Sequence, residues 1–340
     1  MKHVWMVVWL CATASCGDDS QAVADATITV DAAPDAPPDA GNLAADAGTD
    51  ATLLSMQGVY GNFAMHTLPS DATAYSVNHE LWADGATKRR WLILSPSSAP
   101  INNADQEHWI FPVGARLVKE FSRDGTLVET RIVERVADIS AAPTYSLRTY
   151  VWRADGLDAD LDLDGATNVR GTAHDAPTAT QCLTCHNGEL GKVLGFSAVQ
   201  LPPATLTMLS ASGRLSVPIV AGTTFGPTGA MTTVAALGYL HANCGHCHNP
   251  SGAAGTINNM TLRLDAVSKA AEQEPGYLTT VGVDVTGNGL GATKRIELLN
   301  SANSAVFKRM SVRGTGQMPQ IASETVDPMG VATIASFIGP

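Results

Sequence analysis

The chain has 340 residues, enough for two ordinary domains with real cores. Apolar residues make up 45% and charged residues 16%, so most of the chain reads as globular, and a net charge of −11 argues against a nucleic-acid partner. The acidity is local: Gly17 to Thr87 hold eleven acidic residues and no lysine or arginine, while the two signs nearly balance from Lys88 onward.

In chain order, Lys2 and His3 precede an apolar stretch from Val4 to Ala14, which is the pattern of an export signal and too short for a good membrane span. Thr13-Ala14-Ser15-Cys16 reads as a lipobox-like ending, so Cys16 is a candidate for acylation and membrane attachment. The usual leucine three positions before the cysteine is replaced by Thr13, which leaves ordinary signal cleavage open. Beyond the N-terminus, no apolar run approaches the roughly 20 residues that a span needs. The expectation is an exported protein of the periplasm or cell envelope. Residues 17–55 form a linker rich in Asp, Ala and Pro, with too few large apolar side chains to offset chain entropy.

Residues 56–155 carry alternating apolar runs, at Lys88 to Leu94, Trp109 to Phe121, Leu127 to Val136 and Tyr145 to Trp152. The turn signal Ser122-Arg123-Asp124-Gly125 interrupts them. They predict an antiparallel β domain, a sandwich or a barrel, with Trp82, Trp91, Trp109 and Trp152 in its core. Asp160-x-Asp162-x-Asp164-Gly165 then matches the start of a calcium loop, but Gly171 stands where a bidentate glutamate belongs. A solvated acidic loop is the plainer reading.

The sharpest signal is Cys182-Leu183-Thr184-Cys185-His186, repeated as Cys244-Gly245-His246-Cys247-His248. Two thiols three positions apart can each add to a vinyl group on one porphyrin edge, and the following histidine reaches the iron. Structural zinc and paired disulfides are the rivals. Zinc needs no histidine directly after each pair, and short C-x-x-C loops are usually redox-active. The reading is two covalently bound haem c groups held by Cys182, Cys185, Cys244 and Cys247, with His186 and His248 as iron ligands. Residues 156–232 form the first haem-binding region and residues 233–340 the second, so the fold class is α+β: a β domain followed by mainly helical haem domains. Helices are expected over Thr233 to His241 and Asp327 to Ile338, with a short one possible in Leu190 to Leu201.

The second half resembles the class I cytochrome c domain: an entry helix bearing Gly238 and Tyr239, C-x-x-C-H, the loop Gly316-Gln317-Met318-Pro319, and a closing helix. That resemblance implies Met318 as the second iron ligand opposite His248, with Met310 as a nearby competitor lacking the proline. The body is also similar to a bacterial di-haem c-type cytochrome family of uncharacterised function. The carrying residues are Glu80-Leu81-Trp82-Ala83-Asp84-Gly85-Ala86, Phe111-Pro112-Val113-Gly114, Glu129-Thr130-Arg131 and Tyr239 to His248. The family supplies no substrate.

For the first haem the distal candidates are Met208, Met231, His241 and His174, with an open iron as the other possibility. Two functions follow. The first is electron transfer between redox partner proteins, a dehydrogenase and a terminal acceptor. The alternative is a peroxidase-like enzyme with an open first haem, in which His174, Glu189 or His241 would help as acid or base.

Overall fold

The period-two patterns in the middle of the chain become six strands joined in sequence order. These are β1 (Ala72–Ala74), β2 (Thr87–Ile93), β3 (Arg116–Arg123), β4 (Thr126–Arg135), β5 (Tyr145–Trp152) and β6 (Ala159–Asp162). All five pairings are antiparallel. The source is a computed structural model that describes residues 52–137 and 144–339, within a unit spanning Leu43–Pro340. The leader, Cys16 and the linker up to Ala51 lie outside the described residues.

The β3–β4 connection shows why the turn signal was readable. Asp124 and Gly125 have φ of 49° and 78°, the left-handed pair that a two-residue hairpin needs. Alternation then sends Trp91, Ile93, Val118, Ile132 and Tyr150 to one cluster, with Leu54 and Val59. Leu92, Leu94 and Leu117 go to the opposite cluster, with Phe196, Leu201 and Leu209 from beyond the sheet. The sheet is therefore covered on both faces by its own chain. A sandwich or barrel was expected, and this is corrected to one open sheet whose edges are β1 and β6. Among the described residues the other sheet is a two-residue parallel pair, Pro227–Thr228 with Lys269–Ala270.

Two further differences have local causes. The run from Trp109 to Gly114 is a loop with one bridge, Ile110 to Asn102. Trp109 and Phe111 are apolar there because both plug the core, not because they pair in the sheet. Trp82 is only half-buried, and its indole donates to the Thr325 carbonyl at 3.0 Å.

The helices follow the sheet: α1 (Ala179–His186), α2 (Pro203–Ala211), α3 (Met231–Asn243), α4 (Gly255–Asn258), α5 (Pro275–Leu278), α6 (Ala305–Met310) and α7 (Pro328–Ile338). Pro203 opens α2 at a position where its missing N–H costs nothing, whereas the proposed helix over Leu190 to Leu201 is turns and bends. Asp327 caps α7 by accepting from the Met329 and Gly330 amides, both at 3.0 Å. Helices α3 and α7 cross closely: a Cβ on Gly330 would stand 2.2 Å from the Tyr239 ring. The small partner of Tyr239 is thus Gly330, while Gly238 faces the ring of His79.

Candidate cofactor site at the paired C-x-x-C-H segments

The first C-x-x-C-H segment is itself helical, forming the second half of α1. A reciprocal capping box starts that helix: Thr178 Oγ1 accepts from the Gln181 amide at 3.1 Å, and Gln181 Oε1 accepts from the Thr178 amide at 2.9 Å. At 3.6 residues per turn, Cys185 and His186 then both lie one turn beyond Cys182, at i+3 and i+4.

Helix α1 rests against β5. The sheet face beneath it is unusually charged. Arg90, Lys119 and Arg131 stand directly opposite one another across β2, β3 and β4, with Thr149 next in the row on β5. Glu129, fully buried on the same face, takes Arg131 Nη2 at 2.8 Å and His174 Nε2 at 2.7 Å. Burial by itself would raise the Glu129 carboxyl, but Arg131 and His174 outweigh it and hold the group below its usual range. Lys119 instead donates to the Leu194 carbonyl at 3.3 Å, and burial, with Arg90 and Arg131 beside it, pushes its ammonium down to about 7.

The two site histidines differ in preparation. His186 Nδ1 lies 2.6 Å from the Lys192 carbonyl, so it carries the proton and Nε2 keeps its lone pair. Burial pushes its imidazole down to about 3, opposed by the Lys192 bond and assisted by Lys119 and Arg131. It is therefore neutral and set as a ligand at physiological pH. His248 is also held low by burial, but its Nδ1 is buried without a hydrogen-bond partner. Such a nitrogen is costly, and it leaves His248 without the orienting bond that His186 has.

All four cysteines are free and half-buried. The two segments, 58 positions apart in sequence, meet in space. The donor atoms of Cys185, Cys247 and His246 lie within 4.8 Å of one another. The contact between the two thiols holds Cys247 low, with His246 assisting, and raises Cys185 in return. Gly188 permits the approach, because a Cβ there would stand 1.9 Å from the His246 carbonyl oxygen.

A second tie joins the segments. Glu189 accepts from Arg263 Nη1 at 2.6 Å and meets His108 Nδ1 at 2.7 Å. Arg263 follows Leu262, whose amide donates to the His248 carbonyl at 2.8 Å. The Glu189–Arg263–His108 cluster escaped the sequence reading as a clamp, although Glu189 is the single carboxylate between His186 and Cys244. A lone carboxylate in so long a stretch was the available signal.

The remaining candidates are placed as follows. His241 is buried on α3, and its Nδ1 accepts from the Leu264 amide at 3.0 Å, which puts the proton on Nε2. His174 is occupied at Nε2 by Glu129. Met208 is 38% exposed on α2 and Met231 is 87% exposed at the start of α3. Met310 is buried in the cluster with Ile296 and Phe337. Met318 sits half-buried on the loop before α7, its amide donating to the Arg309 carbonyl at 3.0 Å.

Two of the three carboxylates of the calcium-like run are engaged by neighbours. Asp160 pairs with Arg153, and Asp162 Oδ1 accepts from the Asp164 and Gly165 amides, both at 2.9 Å. A cavity of about 60 Å³ lies between the sheet and the second segment, lined by Arg90, Lys119, His79 and His241 among others.

No helix among the described residues is long and apolar enough to cross a membrane. Comparison with protein-family models, with curated proteins and with solved structures found no match.

Proposed function

We propose that the chain is an exported di-haem c-type cytochrome that relays electrons in the cell envelope between a donor such as a dehydrogenase and a terminal acceptor, tethered through Cys16. The observation that carries this is the paired C-x-x-C-H segments, each ending on a histidine that burial keeps low, with His186 already turned by the Lys192 carbonyl to offer Nε2. The donor set fits the group: four free thiols and two imidazoles. When bound, each haem supplies a one-electron ferric/ferrous couple.

The chain's own residues do the rest. Cys182, Cys185, Cys244 and Cys247 anchor, His186 and His248 ligate from one side, and Met318 is proposed as the opposite ligand at the second site. In support of a class I cytochrome c-like arrangement for residues 233–340, α3 leads into the second segment, α7 crosses α3 at Tyr239 and Gly330, and Met318 lies on the intervening loop.

Electron relay is favoured over peroxidase-like turnover because each of the three proposed acid–base helpers already has a hydrogen-bond partner. Glu189 is in its ion pairs, His174 is on Glu129 and His241 accepts from Leu264. The test is a carbon monoxide difference spectrum of the reduced protein, normalised per haem. Relay predicts no shift in either haem; a shift in half of the haem would favour the enzyme.

A second reading rests on Cys185, His246 and Cys247. Two sulfurs and an imidazole within 4.8 Å are a donor set for zinc. Zinc and haem analyses of the same purified sample separate the two readings.

A further inference from the structure

Resting on the di-haem reading, we infer that Gly188 and the Glu189–Arg263 ion pair are positioning residues that hold the two haem sites in direct contact, so that the pair acts as one coupled electronic unit rather than as two independent carriers.

Three observations carry this independently of one another. The sulfurs of Cys185 and Cys247, one attachment thiol from each segment, lie within 4.8 Å. A thioether bond extends each sulfur to the rim of its own porphyrin, so neighbouring sulfurs make neighbouring rims. Next, the backbones themselves touch, because Gly188 has no side chain to keep them apart. A Cβ at 1.9 Å from the His246 oxygen is impossible without separating the segments. Finally, Glu189 and Arg263, with side chains 6% and 13% exposed, bind across the same seam three residues after His186 and one after Leu262. A buried ion pair of this kind fixes register more than it adds stability. His108, from the loop before β3, closes the arrangement at 2.7 Å.

Contact of this kind has an electrical consequence. An electron placed on one site changes the field at the other, so the two reductions are linked and the macroscopic potentials belong to the pair. Transfer between the sites also stays within the chain, and a donor and an acceptor can dock at different ends.

The test is spectroscopic and uses the holoprotein with its haem content measured first. The unmodified protein is expected to carry two haems per chain, a two-signed Soret circular-dichroism couplet, and interacting ferric signals in electron paramagnetic resonance. Gly188→Val is expected to keep both haems while the couplet and the interaction disappear. Should that variant fail to fold, Arg263→Leu serves in its place, with Arg263→Lys expected to restore the couplet. Two haems with a single-signed Soret band and two independent ferric signals would overturn the inference while leaving the di-haem reading intact. A couplet that survives Gly188→Val and Arg263→Leu would overturn the role of these residues. Absence of haem would overturn both.

Discussion

At the scale of single residues, the site is organised by which nitrogen of each histidine is already engaged. His186 has its Nδ1 proton on a carbonyl and presents Nε2, while His248 Nδ1 is buried without a hydrogen-bond partner. The same C-x-x-C-H letters therefore come with different preparation, and the first segment is the better prepared of the two. Met318 is where the ligand account is most exposed to test. Met318→Ala should lower the potential of one haem only and open that haem to carbon monoxide; unchanged potentials would remove Met318 from the ligand set.

His108 tests the clamp. Its imidazole is raised above the ordinary 6.5, first by the bond to Glu189 and against burial. A raised folded value means that its stabilisation is full below pH 6.5 and fades as the pH rises through that higher value. Glu189 behaves in the opposite sense. His108 and Arg263 together overcome the effect of burial and hold it below 4.5, so its share is present above pH 4.5 and lost as the pH falls through its lower folded value. His108→Gln should cost about 1–2 kcal/mol at pH 6 in urea unfolding, with the difference shrinking toward pH 8.

At the scale of elements, the cation row on β2, β3 and β4 is the departure from ordinary sheet design. Like charges directly opposite one another destabilise a sheet, yet Lys119 has an arginine on each side. With its folded value near 7, Lys119 disfavours the native state at every pH below that, and the penalty vanishes as the pH approaches 10.5. Lys119→Met should therefore stabilise the protein by about 1–3 kcal/mol at pH 6 and by almost nothing near pH 10.5, read as unfolding midpoints.

Elements also show what a sequence reveals. The strands β2, β4 and β5 and the helices α3 and α7 were legible because alternation, the Asp124-Gly125 turn and helical spacing are local signals. Short β1 and β6 were not, because three or four residues carry no period, and β6 hides in an acidic run. Trp109 and Phe111 looked like strand because a core plug and a buried strand are equally apolar. The C-x-x-C-H pattern of the four cysteines, His186 and His248, on which the proposed haem sites rest, was readable from spacing alone. The seam between the segments was not, since it depends on Gly188 and Arg263 meeting partners 58 and 74 positions away.

At the scale of the molecule, the sheet and the helical portion are held together by the segment from Glu80 to Gly85. Asn243 on α3 accepts from the Trp82 amide at 2.7 Å and donates to the Glu80 carbonyl at 2.9 Å. Asp84, 3% exposed, accepts from the Glu324 and Thr325 amides and from the Thr325 hydroxyl, at 3.0, 2.8 and 2.9 Å. Those residues lie between Met318 and α7, so Asp84 anchors the methionine loop from the sheet side. Asp84→Ala removes the acceptor shared by two part-buried amides and a hydroxyl and should cost about 1–3 kcal/mol of stability. It should also make the haem proposed to take Met318 more open to carbon monoxide; equal carbon monoxide binding in both proteins would detach Asp84 from the loop.

The proposed electron relay requires that both C-x-x-C-H segments carry covalent haem. The direct measurement is the intact mass of the exported protein, made in a host that matures c-type cytochromes, together with a pyridine haemochrome assay on the same sample. The expected result is the mature chain plus two haem groups that resist acid-acetone extraction. A mass equal to the bare polypeptide, with no haemochrome band and zinc in the sample, would contradict it and return Cys185, His246 and Cys247 to the role of metal ligands.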